Sequence, residues 1–138
     1  MKTALYPGSF NPWHDGHADV LKKALKAFDR VVIAVGINPD KGSQIDSVNR
    51  IPEEIHDDHR VLVVAFDTLL VDLVRDSSFE ITAVVRGLRN GQDLEFERAQ
   101  QYWNEDLGLK IPTVYFVTDR KLVHISSSAI RAVGKFKK

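Results

Sequence analysis

Apolar residues come in short continuous runs along much of this chain, and these runs predict its strands. Arg30–Gly36, Val61–Phe66 and residues 81–85 are rich in β-branched side chains and do not alternate with polar ones. Runs of this kind are typical of parallel strands buried on both faces. A fourth strand is predicted over residues 111–117, where Pro112 stands at the start and its missing N–H donor costs least.

Helix-like stretches lie between the strands. They span residues 18–28, 68–76 and 93–107, and Ser126 can N-cap a last helix that runs to about residue 133. A short apolar start at residues 4–6 supplies the first strand. Strands that alternate with helices predict a doubly wound parallel sheet, a Rossmann-like α/β fold, in one domain over residues 1–138. In such sheets ligands bind beyond the carboxyl ends of the strands.

The junction between the first strand and the first helix carries the most informative sequence. Residues 8–17 are Gly-Ser-Phe-Asn-Pro-Trp-His-Asp-Gly-His. Such a turn exposes backbone N–H groups and points a helix N-terminus at its ligand, which favours phosphate. His14 and His17 could donate hydrogen bonds to phosphate oxygens, could share a metal ion because of their spacing, or could be ordinary polar turn residues. The chain has no cysteine and no H-E-x-x-H motif, which disfavours the metal.

Length and composition narrow the function classes. A chain of 138 residues fits one domain, and its 19 Lys and Arg balance its 19 Asp and Glu. Zero net charge gives no general attraction to nucleic acid or to a membrane surface, so neither is expected as a partner. The absence of cysteine, of a signal-peptide pattern and of any apolar run near the ~20 residues of a membrane span predicts a cytoplasmic protein.

Polar residues at and after the predicted strand ends suit a polyphosphate. Neither the P-loop pattern nor the dinucleotide pattern G-x-G-x-x-G occurs, and no Ser-His-acid arrangement can be recognised. The candidate phosphate donors are His14, His17, Lys41, Arg86, Arg89, Ser126, Ser127, Ser128 and Arg131. A donor set without an obvious nucleophile or base indicates phosphoryl or nucleotidyl transfer, in which positioning and charge stabilisation supply most of the catalysis. The arginines at 86 and 89 could instead form surface pairs with Asp93 or Glu95.

Three motifs carry a resemblance to a known family. The G-S-F-N-P…H-x-G-H segment is similar to the N-terminal signature of the nucleotidyltransferase superfamily, and I-S-S-S-A-I-R over residues 125–131 is similar to a second signature of it. Between them, R-G-L-R at residues 86–89 and D-L-E-F-E at residues 93–97 resemble a stretch of phosphopantetheine adenylyltransferases in particular. The motifs occur in family order, and the resemblance covers roughly residues 2–134.

The resemblance implies an enzyme that transfers AMP from ATP to 4′-phosphopantetheine and releases dephospho-CoA and pyrophosphate. His17 would bind the α-phosphate of ATP and stabilise the transition state. Lys41 would bridge the acceptor phosphate and the α-phosphate, and Arg86 would hold the acceptor phosphate. A Mg²⁺ ion is expected on the triphosphate, held mostly by phosphates and water.

The remaining contacts that the resemblance implies follow the same motifs. The residues expected to bind the nucleotide are Ser9, Phe10, His14, Gly87, Leu88, Arg89, Glu97 and Arg131. Those expected to wrap the triphosphate are Leu122, Val123, His124, Ile125, Ser126, Ser127 and Ser128. Ser9 and Phe10 would face both substrates, and Leu70 would border the pantetheine arm. His14 occupies a position where these adenylyltransferases usually carry Thr and related nicotinate mononucleotide enzymes carry His.

Two other functions stay open on the sequence. The acceptor could be a mononucleotide such as nicotinamide mononucleotide, with Trp13 as the residue able to stack on its base. Aliphatic residues around Leu70 favour the pantetheine arm instead. The chain could also be a nucleotide-binding regulatory protein without turnover, although the joint presence of the motif histidine and arginines argues against it.

Two segments complete the sequence-based predictions. Residues 38–59 are polar and interrupted by proline and glycine, which predicts a mobile flap over the site, and His56 and His59 lie there in an acidic run that resembles a solvated loop more than a metal cluster. The helix predicted at 93–107 carries more large apolar residues than one sheet face needs, which predicts a homo-oligomer; they are Leu94, Phe96, Tyr102, Trp103 and Leu107. Trp13 and Trp103 are assigned to packing.

Overall fold

The computed structural model describes residues 1–37, 47–122 and Ile130, and this part of the chain forms one parallel sheet with helices packed on it. The strands are β1 (Thr3–Gly8), β2 (Arg30–Gly36), β3 (Val61–Phe66), β4 (Ile81–Leu88) and β5 (Thr113–Val117). The helices are α1 (Asp15–Ala27), α2 (Glu53–His56), α3 (Leu70–Asp76) and α4 (Gly91–Asp106), with 3₁₀ turns at Ser47–Arg50 and Arg120–Leu122. The predicted Rossmann-like α/β fold is confirmed.

The strand order of the sheet is β3-β2-β1-β4-β5, with all neighbours parallel. The chain therefore builds outward from β1 in one direction through β2 and β3, and then crosses back to add β4 and β5 on the other side. The reversal leaves a crevice at the carboxyl ends of β1 and β4, the position where open α/β sheets bind their ligands. Both the glycine-rich turn after β1 and the R-G-L-R motif at the end of β4 lie at this crevice.

Two apolar clusters lie between the sheet and the helices, one on each face of the sheet. Ala4, Tyr6 and Ile33 belong to one cluster, which includes Val20 of α1. Leu5 points to the other cluster, in which α3 packs on the sheet. Neighbouring residues of β1 thus contribute to opposite layers, as the two-residue period of a strand requires. Within the described part of the chain, no helix has the length and apolarity needed to cross a membrane.

The outer strands differ from the prediction that continuous apolar runs are covered on both faces. Leu62 of β3 is 42% exposed, and Val117 of β5 is 66% exposed. Both strands lie at the edges of the sheet, each paired with one neighbour only, so their flanking helices cover them incompletely. Prediction of burial on both faces is correct for β2, whose central residues are buried, and wrong for β3.

The structure describes residues 47–59 of the flap predicted over residues 38–59, and the expectation of a solvated loop is wrong for this part, whereas its mobility stays a prediction. This part contains the 3₁₀ turn Ser47–Arg50 and the short helix α2. Ile51 between them is 2% exposed and belongs to the same apolar cluster as Val20. A buried isoleucine anchors the segment to the sheet, and the polar composition on either side hides this anchor from a reading of the sequence.

The large apolar residues of α4 stay exposed in the single chain. Trp103 is 63% exposed, so its assignment to packing is wrong within one subunit, whereas Trp13 packs against the main apolar cluster as predicted. The exposed fractions of the other four range from 38% to 63%; these residues are Leu94, Phe96, Tyr102 and Leu107. These five apolar side chains are therefore only partly covered by the described part of the chain.

Candidate active site

The crevice between β1 and β4 contains a cavity of about 330 Å³, called here the first cavity. It lies where the turn after β1, the start of α1, the end of β4 and the start of α4 meet. The predicted site residues that line it are Ser9, Phe10, His14, His17, Arg86, Gly87, Arg89 and Glu97. These residues come from two separated motifs, and the fold brings them into one wall.

Other predicted site residues lie elsewhere. Leu88 is 9% exposed and does not line the first cavity, and Leu122 ends the 3₁₀ turn without reaching it. Leu70 lines a neighbouring cavity instead. The predictions for Lys41, Val123, His124, Ile125, Ser126, Ser127, Ser128 and Arg131 lie outside the described residues.

Close packing between β4 and α1 explains the glycine of the R-G-L-R motif. A Cβ atom on Gly87 would come within 2.6 Å of Cγ2 of Val20, well inside van der Waals contact. Glycine at this position lets α1 lie directly against the end of β4. The histidines at the start of α1 are thereby brought toward the arginines at the end of β4.

Phe10 shapes the floor of the turn. Its backbone has a φ of 50°, in the left-handed region that non-glycine residues seldom adopt. Its ring is 2% exposed and contacts the rings of Tyr6, Trp13 and His17, with centroids 4.9–5.4 Å apart. Burial of the ring among these aromatic groups offsets the backbone cost and fixes the path of the turn past Ser9.

The two histidines cap α1 as a reciprocal pair. The Gly16 N–H donates to Nδ1 of His14 at 3.1 Å, and the His14 N–H donates to Nδ1 of His17 at 3.2 Å. The two imidazole rings stack with centroids 3.8 Å apart. Because each Nδ1 accepts a hydrogen bond, each neutral ring carries its proton on Nε2. Both histidines are therefore hydrogen-bond donors at Nε2.

Burial keeps these rings uncharged. It lowers the pKa of His17 to about 3, and the neighbouring His14 and Arg86 add to the effect. The pKa of His14 is also lowered, first by burial and then by the positive charge of Arg89. At neutral pH the site thus presents neutral imidazole donors, and its positive charge comes from the arginines.

Arg86 forms the strongest polar contacts of the cavity wall. Its Nε and Nη2 donate to the two carboxylate oxygens of Glu97 at 2.9 and 2.8 Å, and its Nη1 donates to the Pro7 carbonyl. These contacts use three of the five guanidinium N–H groups. The guanidinium carries two further N–H groups, and its fork geometry suits bidentate binding of a phosphate.

Arg89 is held in a similar way by Asp93. Its Nε and Nη2 donate to the carboxylate at 3.0 and 3.2 Å, and its backbone N–H donates to the same group at 2.9 Å. Burial alone would raise the pKa of Asp93, but the hydrogen bonds from Arg89 outweigh it and lower that pKa. The sequence-based alternative of a pair between Arg89 and Asp93 is thus present, and Arg89 lines the first cavity as well.

A second cavity of about 310 Å³ adjoins the first. The two share the wall formed by Pro7, Gly8, Arg86, Phe96 and Glu97. The rest of the second cavity combines apolar and amide side chains, and its residues include Phe66, Leu70, Gln100, Gln101, Asn104 and Tyr115. Arg86 stands at the boundary between a cavity rich in phosphate donors and one suited to an aliphatic, amide-containing chain.

Sequence reasoning missed several residues of the site. Arg50, in the 3₁₀ turn Ser47–Arg50, donates from Nη1 to the Ser9 carbonyl at 2.9 Å and so supports the turn after β1. Tyr6 and Thr118 line the first cavity, and burial raises the pKa of the Tyr6 hydroxyl. No motif signals these residues, because their contacts depend on how distant segments pack.

The described residues contain no group of three or more His, Cys, Asp or Glu side chains arranged to hold a metal ion. Nε2 of His56 lies 2.9 Å from the Val48 carbonyl, a local contact within the segment. Glu97 and Asp93, the carboxylates at the first cavity, are both engaged by arginines. The polar chemistry of this wall is therefore that of an anion site.

Comparisons with known proteins group the chain with nucleotidyltransferases. The cytidylyltransferase-like family model matches residues 5–133. The phosphopantetheine adenylyltransferase of Clostridium novyi (strain NT) is 36% identical over 139 residues, which cover 99% of this chain and 85% of the relative. That of Campylobacter fetus subsp. fetus (strain 82-40) is 41% identical over 137 residues, which cover 97% of this chain and 85% of the relative.

Two solved structures share the fold at lower identity. A lipopolysaccharide core biosynthesis protein from Thermoplasma volcanium GSS1 matches with a TM-score of 0.59 at 18% identity, over 86% of this chain and 98% of that one. An inferred nicotinate-nucleotide adenylyltransferase from Vibrio parahaemolyticus matches with a TM-score of 0.60 at 21% identity, over 100% of this chain and 90% of that one. These two show the fold alone, whereas the near full-length relatives define the family: the chain belongs to the phosphopantetheine adenylyltransferases.

Proposed function

We propose that this protein transfers AMP from ATP to 4′-phosphopantetheine, giving dephospho-CoA and pyrophosphate. The observation that carries the proposal is the pair of adjoining cavities that share Arg86. The first offers the neutral imidazole donors and Arg89, which suit a nucleoside triphosphate. The second offers Leu70 and several amide side chains, which suit a flexible aliphatic arm with amide groups.

The reaction asks for positioning more than for proton chemistry. A phosphate oxygen of the acceptor attacks the α-phosphorus of ATP, the new P–O bond forms, and the bond to the β-phosphate oxygen breaks as pyrophosphate leaves. His17 would donate from Nε2 to an α-phosphate oxygen as charge develops there. Its lowered pKa keeps that donor neutral, so the group changes neither its charge nor its role across the neutral range.

The two arginines would divide the substrates between them. Arg86 lines both cavities and would hold the acceptor phosphate at their boundary, whereas Arg89 lines only the first and would serve the polyphosphate of ATP. Lys41 would bridge the acceptor phosphate and the α-phosphate, as its place in the sequence implies. Glu97 and Asp93 hold the guanidinium groups in place before any substrate binds.

A Mg²⁺ ion fits this proposal as a companion of the triphosphate. The described wall supplies cationic and neutral donors and its carboxylates are paired with arginines, so phosphate oxygens and water would supply the ligands of the ion. When bound there, Mg²⁺ would neutralise charge on the triphosphate. The protein residues would orient the α-phosphate and the acceptor.

A homo-oligomer is proposed from the exposed apolar residues of α4. Tyr102 and Trp103 line neither cavity and are each more than half exposed, and a second copy of the chain would remove them from water. Light scattering at micromolar concentration should report an oligomer, and Trp103→Glu should shift it toward the monomer. A wild-type monomer at that concentration would contradict this part of the proposal.

Pyrophosphate release tests the acceptor directly. The protein would be incubated with Mg-ATP and, in separate reactions, 4′-phosphopantetheine, nicotinamide mononucleotide or nicotinate mononucleotide. Turnover with 4′-phosphopantetheine alone is expected, since Trp13 packs in the apolar cluster and does not line either cavity as a stacking surface for a base. Turnover with a mononucleotide alone would replace the proposed acceptor, and binding of ATP without any turnover would favour a regulatory protein.

A further inference from the structure

An ion-pair cluster outside both cavities joins α1 to the segment that follows β5. Lys23 of α1 donates from Nζ to Oδ2 of Asp19 at 2.9 Å, to the Val117 carbonyl at 2.6 Å and to Oδ1 of Asp119 at 3.0 Å. These three acceptors match the three N–H groups of the ammonium. Asp19 accepts a second hydrogen bond at 3.1 Å, from the backbone N–H of Asp119. Asp19, Lys23 and Asp119 are called the α1 latch below.

The latch binds residues 117–119 from the side of α1, and β4 binds the same stretch from the side of the sheet. Thr118, between the two gripped residues, donates its backbone N–H to the Leu88 carbonyl at 2.8 Å. Thr118 is 6% exposed and lines the first cavity. The latch therefore fixes a piece of the cavity wall without any of its own three side chains lining that wall.

The charges of the latch are strongly coupled. Burial alone would raise the pKa of Asp19, but its hydrogen bonds to Lys23 and Asp119 outweigh burial and lower that pKa. The pKa of Lys23 is raised, because the same two carboxylates outweigh the opposing effect of burial. The side chain of Asp19 is 10% exposed, that of Lys23 is 28% exposed and that of Asp119 is 51% exposed, so Asp19 is the most buried member of the latch.

The place of the latch in the fold suggests its use. Asp19 and Lys23 of the latch lie on α1, the helix that begins at the histidine cap, so these two residues and His17 share one helix. The stretch that the latch holds contains Thr118, which lines the first cavity, the one proposed to bind the nucleotide. We infer that Asp19, Lys23 and Asp119 are positioning residues, which set the path of the chain after β5 relative to His17 and thereby tune the binding of ATP. The inference rests on the proposed function for the identity of the nucleotide.

The test separates the two substrates. Lys23→Met should raise the KM for Mg-ATP about tenfold and leave the KM for 4′-phosphopantetheine within about twofold, since the second cavity does not include the gripped residues. Lys23→Arg, which keeps the charge and several donors, should recover most of the loss. Lys22→Met is the matched control, because it removes an exposed lysine from the same helix, and both KM values should stay at wild-type level.

A second variant and a direct binding measurement complete the test. If Lys23→Met fails to fold, Asp119→Asn carries the test, because its side chain is 51% exposed and only one ion pair is lost. Calorimetric titration with Mg-ATP alone measures the effect without turnover, so the latch can be judged even if 4′-phosphopantetheine is not the acceptor. Unchanged Mg-ATP affinity in both latch variants, or an equal rise of both KM values, would overturn the inference.

Discussion

The neutral state of His17 predicts how the stability of the protein depends on pH. Burial is the chief reason that the pKa of this ring is lowered from its ordinary value of 6.5 to about 3 in the folded protein. Between pH 6.5 and pH 3, His17 is therefore mostly protonated in the unfolded chain and mostly neutral in the folded protein. Stability contributed by the neutral ring is present above pH 6.5 and is lost as the pH falls toward 3.

The size of the effect follows from the two pKa values. Between pH 7 and pH 5 the linkage relation gives a loss of about 2 kcal/mol from this one residue, since each pKa unit corresponds to about 1.4 kcal/mol. His14 acts in the same direction, because its pKa is lowered as well. The pKa of Asp58 is lowered to about 2, so the stability that this carboxylate contributes is fully present at pH 5 to 7 and is lost only at more acidic pH. Its contribution therefore does not change within the window from pH 5 to pH 7, in which the histidines titrate.

Urea unfolding at pH 5, 6 and 7 measures this dependence. His17→Gln removes the titration while retaining an amide donor, so the variant should lose about 2 kcal/mol less than the wild type over the window. The control His59→Gln removes an exposed histidine away from both cavities and should keep the wild-type slope. Equal pH slopes for wild type and His17→Gln would show that the ring titrates normally in the folded protein, and the argument for a neutral donor would fail.

Three further predictions follow from the same wall of the site. His17→Ala should lower kcat on the order of 10²–10³-fold in pyrophosphate release and leave the calorimetric affinity for Mg-ATP within several-fold, because the donor acts mainly on the developing charge; near-normal turnover would contradict the assignment. Arg86→Lys should raise chiefly the acceptor KM and Arg89→Lys chiefly the ATP KM, as lysine cannot reproduce the guanidinium fork, and identical effects on both constants would refute the division. Gly87→Ala should destabilise the protein by about 1–3 kcal/mol in urea unfolding, because the new Cβ meets Cγ2 of Val20 at 2.6 Å; a cost near zero would show that α1 shifts freely.

Most of the fold could be predicted from the pattern of apolar and polar residues in the sequence. Continuous apolar runs located β2 and β3 at their observed bounds, and the alternation of strands and helices predicted the parallel sheet. Helix starts were less accurate. The first helix begins at Asp15 instead of residue 18, because a histidine serves as its N-cap, and α4 begins at Gly91 because the Asn90 side chain accepts from the Asp93 N–H. Helix caps depend on single side-chain hydrogen bonds, which the spacing of apolar residues along the sequence does not reveal.

Sequence motifs likewise identified some of the site residues, whereas the contacts between those residues depend on how distant segments pack. The turn after β1 and the R-G-L-R motif each name their residues, and the crossing of the chain between β1 and β4 brings them together. The pairing of Arg86 with Glu97 joins residues 11 apart through the geometry of β4 and α4, and no spacing rule for a single helix predicts it. The contact of Arg50 with the Ser9 carbonyl spans 41 residues and depends on a segment whose composition predicts a loop.

Paired arginines at the site have a consequence for substrate binding. An arginine in an apolar wall would cost free energy through loss of hydration, and the bidentate carboxylate removes most of that cost while leaving two N–H groups for the ligand. Glu97 also holds the guanidinium in one orientation, so a phosphate meets a donor that is already aligned.

Loss of the carboxylate in Glu97→Gln should therefore weaken acceptor binding, although the substitution makes the wall more positive. A simple electrostatic account predicts the reverse, and measurement of the acceptor KM in that variant decides whether alignment or net charge governs the site.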